Sequence, residues 1–228
     1  MKNEVIVFSL GGSLIVPDSV DYRYLHKFKL FIDKLLRNYK VIVVTGGGKT
    51  ARKYIESLKK ERTGEVFYSL VGIMATKLNA RLISGLFSIK GQIPDRLIDV
   101  KKQLDKKRIV ICGALGFQPD MTSDGDAAQI AEYVKAKVFV NLTNVDGLYD
   151  KDPRTSKNAK LISYLSYSDF LRIINGIKYE AGQHFVLDQA AAVIISKSKM
   201  PTLIINGRKL ENVSNYLQGK RFLGTIIS

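Results

Sequence analysis

Three apolar runs, each halted by small or polar residues, restrict this chain to few architectures. Residues 5–10 lead into Gly11-Gly12-Ser13, residues 41–44 into Gly46-Gly47-Gly48, and residues 138–142 into Thr143-Asn144-Val145-Asp146-Gly147-Leu148-Tyr149. Short runs of Val, Ile and Leu without alternation read as strands buried on both faces, the pattern of a parallel sheet covered by helices. Between them the apolar period changes. Leu25, Phe28, Ile32, Leu35 and Leu36 share one helical face, as do Leu70, Val71, Met74, Leu78 and Leu82. Further helices are expected over residues 126–134 and 186–196, a strand over 202–205 and an edge strand over 224–227. Each helical stripe reads as core, and the rhythm is βαβ.

A chain of 228 residues that is 46% hydrophobic can bury a core of one large domain or two joined lobes. The lysine-rich stretch 99–108 is the candidate divider between an acceptor half and a nucleotide half. Cys112 is the only cysteine, so an internal disulfide is excluded and a reducing cytoplasm fits. No apolar stretch reaches the roughly 18 residues of a membrane span, and a soluble protein is expected. The formal charge of +15 is scattered and lacks aromatic interleaving or zinc-finger spacing. It reads as a solvated basic surface that attracts small anions, with nucleic acid not expected as the partner.

Strand ends followed by glycine loops suit phosphate, because backbone amides stand unshielded and each loop is followed by a stretch that reads as helix. Two familiar phosphate loops are excluded. Gly48-Lys49-Thr50 ends like a Walker A loop, but its first glycine would stand at Val43, and neither loop has G-x-G-x-x-G spacing. Taken singly, the candidates keep bland readings beside the functional ones. Each glycine pair also fits a tight turn, Arg52 and Lys49 a solvated helix, Asp188 a helix cap, Asp146 a turn and Tyr149 the core. Asp120, Asp124 and Asp126 could ligate a divalent ion, yet an acidic helix start is the commoner cause. His26 and His184 stand far apart, and no resident metal is expected.

The ordered set Ile6 to Ser13, Gly46 to Ile55, Gly116-Phe117-Gln118-Pro119, Thr143 to Tyr149 and Leu187-Asp188 resembles the amino-acid-kinase superfamily, within it the archaeal type of uridylate (UMP) kinase. The resemblance runs nearly end to end. It implies a three-layer α/β/α sandwich with a mostly parallel central sheet, one domain over residues 1–228, and a homo-oligomer, usually a hexamer. It also implies phosphoryl transfer from ATP, carried with Mg²⁺, to UMP.

Carried over by position, Gly12, Ser13, Gly48, Arg52 and Thr143 fall on the ATP side, with Asn144, Asp146, Tyr149 and Asp152. Gly47, Ser69, Phe117, Gln118, Pro119, Thr122, Ser123 and Asp124 fall on the UMP side. Asp188, Ser13 and Lys49 are the candidate catalytic residues, Asp188 as the organising carboxylate. Six positions depart from the pattern, among them Ser13, near which relatives often carry a basic residue, and Gln189, which replaces the usual proline after Asp188. Ser9 stands where many relatives carry lysine, Ser69 where an aspartate usually meets the nucleoside sugar, Asp120 replaces a glycine, and Asp126 adds a carboxylate. Two further classes therefore stay open: a small-molecule kinase with another acceptor, and a non-catalytic nucleotide-binding or storage protein.

Overall fold

Alternate side chains of a strand face opposite sides of its sheet, and in this chain both sides are apolar. In the computed structural model, which describes residues 4–118, 121–176 and 187–228, that pattern builds a seven-stranded sheet. Its strands are β1 (Val5–Leu10), β2 (Lys40–Thr45), β3 (Ile109–Cys112), β4 (Val138–Thr143), β5 (Tyr164–Leu165), β6 (Thr202–Asn206) and β7 (Thr225–Ile227). The order is β3-β2-β1-β4-β6-β7-β5, with β7 antiparallel to β6 and the other pairings parallel.

Ile6, Phe8 and Leu10 of β1, with Val41 and Val43 of β2, face one layer. That layer holds α1 (Gly12–Ile15), α2 (Tyr22–Leu35), part of α4 (Glu65–Leu86) and α9 (Glu211–Leu217). Val5, Val7, Ile42 and Val44 face the other, built from α5 (Leu97–Lys106), α6 (Ser123–Tyr133), α7 (Tyr167–Gly176) and α8 (Gln189–Ser198). Helix α3 (Gly48–Lys60) packs on α4, with Ala51 its buried residue. α2 behaves as its spacing requires: Asp21 caps it by accepting from the Tyr24 amide at 3.0 Å, and Leu25, Phe28, Ile32 and Leu35 are buried.

Five sequence expectations change. The stripe on α4 is not core, since Leu70, Met74 and Leu78 are 44%, 65% and 61% exposed and the helix buries Ala75, Thr76, Asn79, Ala80 and Ile83 instead. Its small and polar face is the one that fits closely against glycine backbone. The same helix spans 22 residues and has an 18-residue window of mean hydropathy 1.2, so one helix is long and apolar enough to cross a membrane by length and composition. The 225–227 strand is not an edge, because β5 lies outside it. The 99–108 stretch is largely α5, seating Val100 and Leu104 in the core. No helix follows β4 directly, since the turn residues Asp146-Gly147 and Asp152-Pro153 lead through loop to β5. Pro119, Asp120, His184 and Val186 lie outside the described residues.

Candidate active site

Consecutive strands move to one side of β1 as β2 and β3, then cross to its other side as β4 and β6. Open α/β sheets bind ligands at the carboxyl ends of strands beside such a reversal. Here the ends of β1, β2 and β4 open into a cleft of about 470 Å³.

Its floor is two interlocked glycine turns. The Gly11 amide donates to the Leu142 carbonyl at 3.1 Å and the Gly46 amide to the Leu10 carbonyl at 3.0 Å. Gly12 and Gly48 lie so close that a Cβ on either would overlap the other's backbone, and Gly48 has φ of 65°. Both sterics and backbone conformation therefore require glycine at 48. Helix α3 begins there without a side-chain cap, turning the positive end of its dipole on the cleft. Behind the second turn, Asn79 of α4 donates to the Gly46 carbonyl at 2.7 Å, and the Thr45 hydroxyl donates to the Thr76 carbonyl at 2.9 Å.

One wall is acidic. Ser9 and Asn141, neighbours in the β1–β4 register, are buried polar residues in otherwise apolar strands. The Ser9 hydroxyl donates to Asp124 Oδ1 at 2.5 Å. Burial, then repulsion from Asp188, pushes the Asp124 carboxyl up to about 7 against the pull of that hydroxyl. Asp126 is also pushed up to about 7, chiefly by burial, with the Leu115 amide opposing and Asp188 adding. Thr122 caps α6 by accepting from the Asp124 amide at 3.1 Å, and its hydroxyl donates to Asp188. Asp188 caps α8 through the Ala191 amide at 2.6 Å and accepts from the Gly125 amide at 3.3 Å. It is thus both a cap and a clamp that joins the starts of two helices behind Ser123 and Asp124.

The opposite wall is the loop after β4. Asp146 turns away from the cleft and binds Lys209 Nζ at 2.9 Å and Asn206 Nδ2 at 3.0 Å. Burial opposes its ionisation, but these two partners hold its carboxyl below the usual range. The Leu148 amide donates to Thr225 Oγ1 at 2.8 Å, and Tyr149 bridges to Leu161. Beyond it Arg154 grips Asp152 through two side-chain nitrogens at 3.0 and 2.8 Å.

Glycine amides, an uncapped helix start and an arginine thus meet at the strand-order reversal, an arrangement suited to anionic groups. The amino acid kinase family model matches residues 4–206. The chain belongs to the amino acid kinase family. This family member is 37% identical to the uridylate kinase of Archaeoglobus fulgidus, over 98% of this chain and 99% of that one. It is 38% identical to the uridylate kinase of Methanococcus aeolicus, over 98% and 99% of the two chains. The crystal structure of the Archaeoglobus fulgidus uridylate kinase superposes with a TM-score of 0.84 at 34% identity and covers both chains fully. The mixed α/β layering expected from the sequence is the fold of these relatives.

Within the amino acid kinase fold the sequence candidates divide. Gly12, Ser13, Gly47, Gly48, Arg52 and Ser123 line the cleft with Asp124, Thr143, Asn144, Tyr149 and Asp152. Lys49 does not, because its ammonium pairs with Asp18 at the surface. Ser69, Phe117, Gln118 and Thr122 also lie off the cleft lining, as do Asp146 and Asp188. Ser69 sits one turn before Gly72, whose carbonyl backs Gly47. Asn141, Lys151 and Arg154 line the cleft as well, beyond the residues carried over by position, the latter two within the polar stretch that follows β4. An asparagine inside an apolar strand was the available signal for Asn141, and position in the polar stretch after β4 the signal for the two basic residues.

Proposed function

We propose that this amino acid kinase is a uridylate kinase of pyrimidine nucleotide synthesis. An oxygen of the UMP phosphate attacks the γ-phosphorus of ATP, the bond to the β-phosphate oxygen breaks, and UDP and ADP leave. The acceptor oxygen is already anionic, so positioning and charge neutralisation carry the reaction rather than proton abstraction. The supporting observation is the pair of interlocked glycine turns with Arg52 on one side of the cleft and the Thr143–Arg154 loop on the other.

In this scheme Gly12, Ser13 and Gly48 offer amides to the phosphates, and Arg52 supplies a forked donor to the transferring group. Thr143, Asn144, Tyr149 and Asp152 hold the nucleoside of ATP, and Gly47, Ser123 and Asp124 face the acceptor. Asp146 supports the nucleotide loop from behind. Lys49 joins by leaving Asp18, a solvent-exposed pair that holds its ammonium only weakly. The acceptor machinery belongs mainly to the N-terminal part of one domain and the ATP machinery to the C-terminal part.

Mg²⁺ is part of the proposal. Among the described residues no three His, Cys, Asp or Glu side chains converge as a metal cage. Asp124, Asp150 and Asp152 line the cleft, and one or two of their carboxylates would suffice to hold an ion that arrives on the phosphates. When bound, it neutralises charge on the β- and γ-oxygens. A cytoplasmic homo-oligomer, a hexamer by resemblance, completes the reading, supported by the exposed apolar stripe on α4.

The test is ADP release from Mg-ATP with UMP, CMP, AMP, GMP or dTMP offered separately. Turnover is expected with UMP, and Arg52→Ala is expected to lower kcat/KM by about a hundredfold, the scale of one lost preorganised donor. Turnover with a different acceptor, or ATP binding with no turnover, selects one of the two other classes.

A further inference from the structure

Asp126 is a buried carboxyl outside the cleft lining, 2% exposed in the first turn of α6. Its neighbours Ala127 and Ala128 fill the same layer without a polar group. A desolvated carboxyl is costly wherever an apolar side chain would pack, unless its hydrogen bonds do something the fold needs. Those bonds have a common target. The carboxylate accepts from the Leu115 amide and from Gln118 Nε2, the latter at 3.1 Å. Gln118 Nε2 also donates to Gln129 Oε1 at 3.3 Å, one turn farther along α6. On its other side the Gly116 amide donates to the Asp95 carbonyl at 3.1 Å. The loop leaving β3 is thus fastened to the helix it is about to enter, with Phe117, 44% exposed, held out between the two fastening points.

We propose that Asp126 is a positioning residue that fixes the 115–118 loop against α6 and thereby sets affinity for the acceptor nucleotide without touching either substrate. The proposal rests on the reading of Phe117, Ser123 and Asp124 as residues of the acceptor side. It also changes the role of Gln118, whose amide is engaged by Asp126 and Gln129 and serves the tether rather than UMP.

Steady-state kinetics of the full chain with Mg-ATP and UMP test it. Asp126→Val and Gln118→Met are each expected to raise the KM for UMP about tenfold, with kcat and the KM for ATP within about twofold. The double variant is expected to be no worse than either single one, since both cut the same tether. Asp126→Asn is expected to keep the wild-type KM: its side-chain oxygen accepts from Leu115, and the Gln118 and Gln129 amides turn together, so that Gln118 Oε1 accepts from the new Nδ2 and from Gln129 Nε2. Should Asp126→Val fail to fold, the half-buried Gln118→Met carries the test. An unmoved KM for UMP in Gln118→Met, an equal rise in the KM for ATP, or an Asn variant as impaired as Gln118→Met overturns the tether. Absence of UMP turnover in the wild-type chain overturns the uridylate kinase reading instead, and the tether with it.

Discussion

The most consequential single residues are the carboxyls behind the cleft. Asp124 and Asp126 both titrate near 7 in the folded chain, whereas unfolded aspartates release their protons near 4. Between those values the folded state holds more protons than the unfolded state. Stability therefore falls as pH rises from about 4 to about 7 and stays reduced above. Asp126→Asn is expected to be near neutral at pH 3, below both values, and to raise Tm by several degrees at pH 8, in paired thermal melts. Equal shifts at both pH values would sink this account of the buried carboxyl. Little of the cluster was legible beforehand. Ser9 and Asp124 are 115 positions apart, and only the folded sheet brings them to 2.5 Å. Asp188 was legible as a cap, but its hold on Thr122 and Gly125 depends on how α6 packs against α8.

At the scale of elements, α2 and α4 each carry an apolar stripe at helical spacing, sharp on α2 and weak on the nearly all-apolar α4, and the two meet opposite fates. Leu25, Phe28 and Ile32 of α2 are covered by the sheet, while Leu70, Met74 and Leu78 of α4 face outward. Periodicity reports that a helix has two unlike faces; it does not report which face its own chain covers. The covered face of α4 was set by polar and small residues, Thr76, Asn79 and Ala80, whose purpose appears only beside Thr45 and Gly46. Val66, Leu70, Met74 and Leu78 form a continuous exposed row, with Phe67 beside it, the kind of patch that marks an interface. Met74→Glu with Leu78→Glu is expected to convert a multi-chain species into a monomer by sedimentation velocity. An unchanged mass would remove α4 from the interface.

For the whole molecule, what the sequence announced best was the sheet's carboxyl edge. The three runs ending in Gly11, Gly46 and Thr143 became β1, β2 and β4, side by side and parallel. The short strands β5 and β7 were less legible, because two or three residues carry no period of their own. The basic surface is consistent with drawing two nucleotides, both anionic, to one cleft. The most direct measurement of the central claim follows the phosphoryl group itself. Purified protein is incubated with UMP and Mg-ATP labelled at the γ-phosphate, and the products are separated by chromatography. Labelled UDP appearing in proportion to ADP is the predicted result, and label that never enters UDP while ATP binds would contradict it.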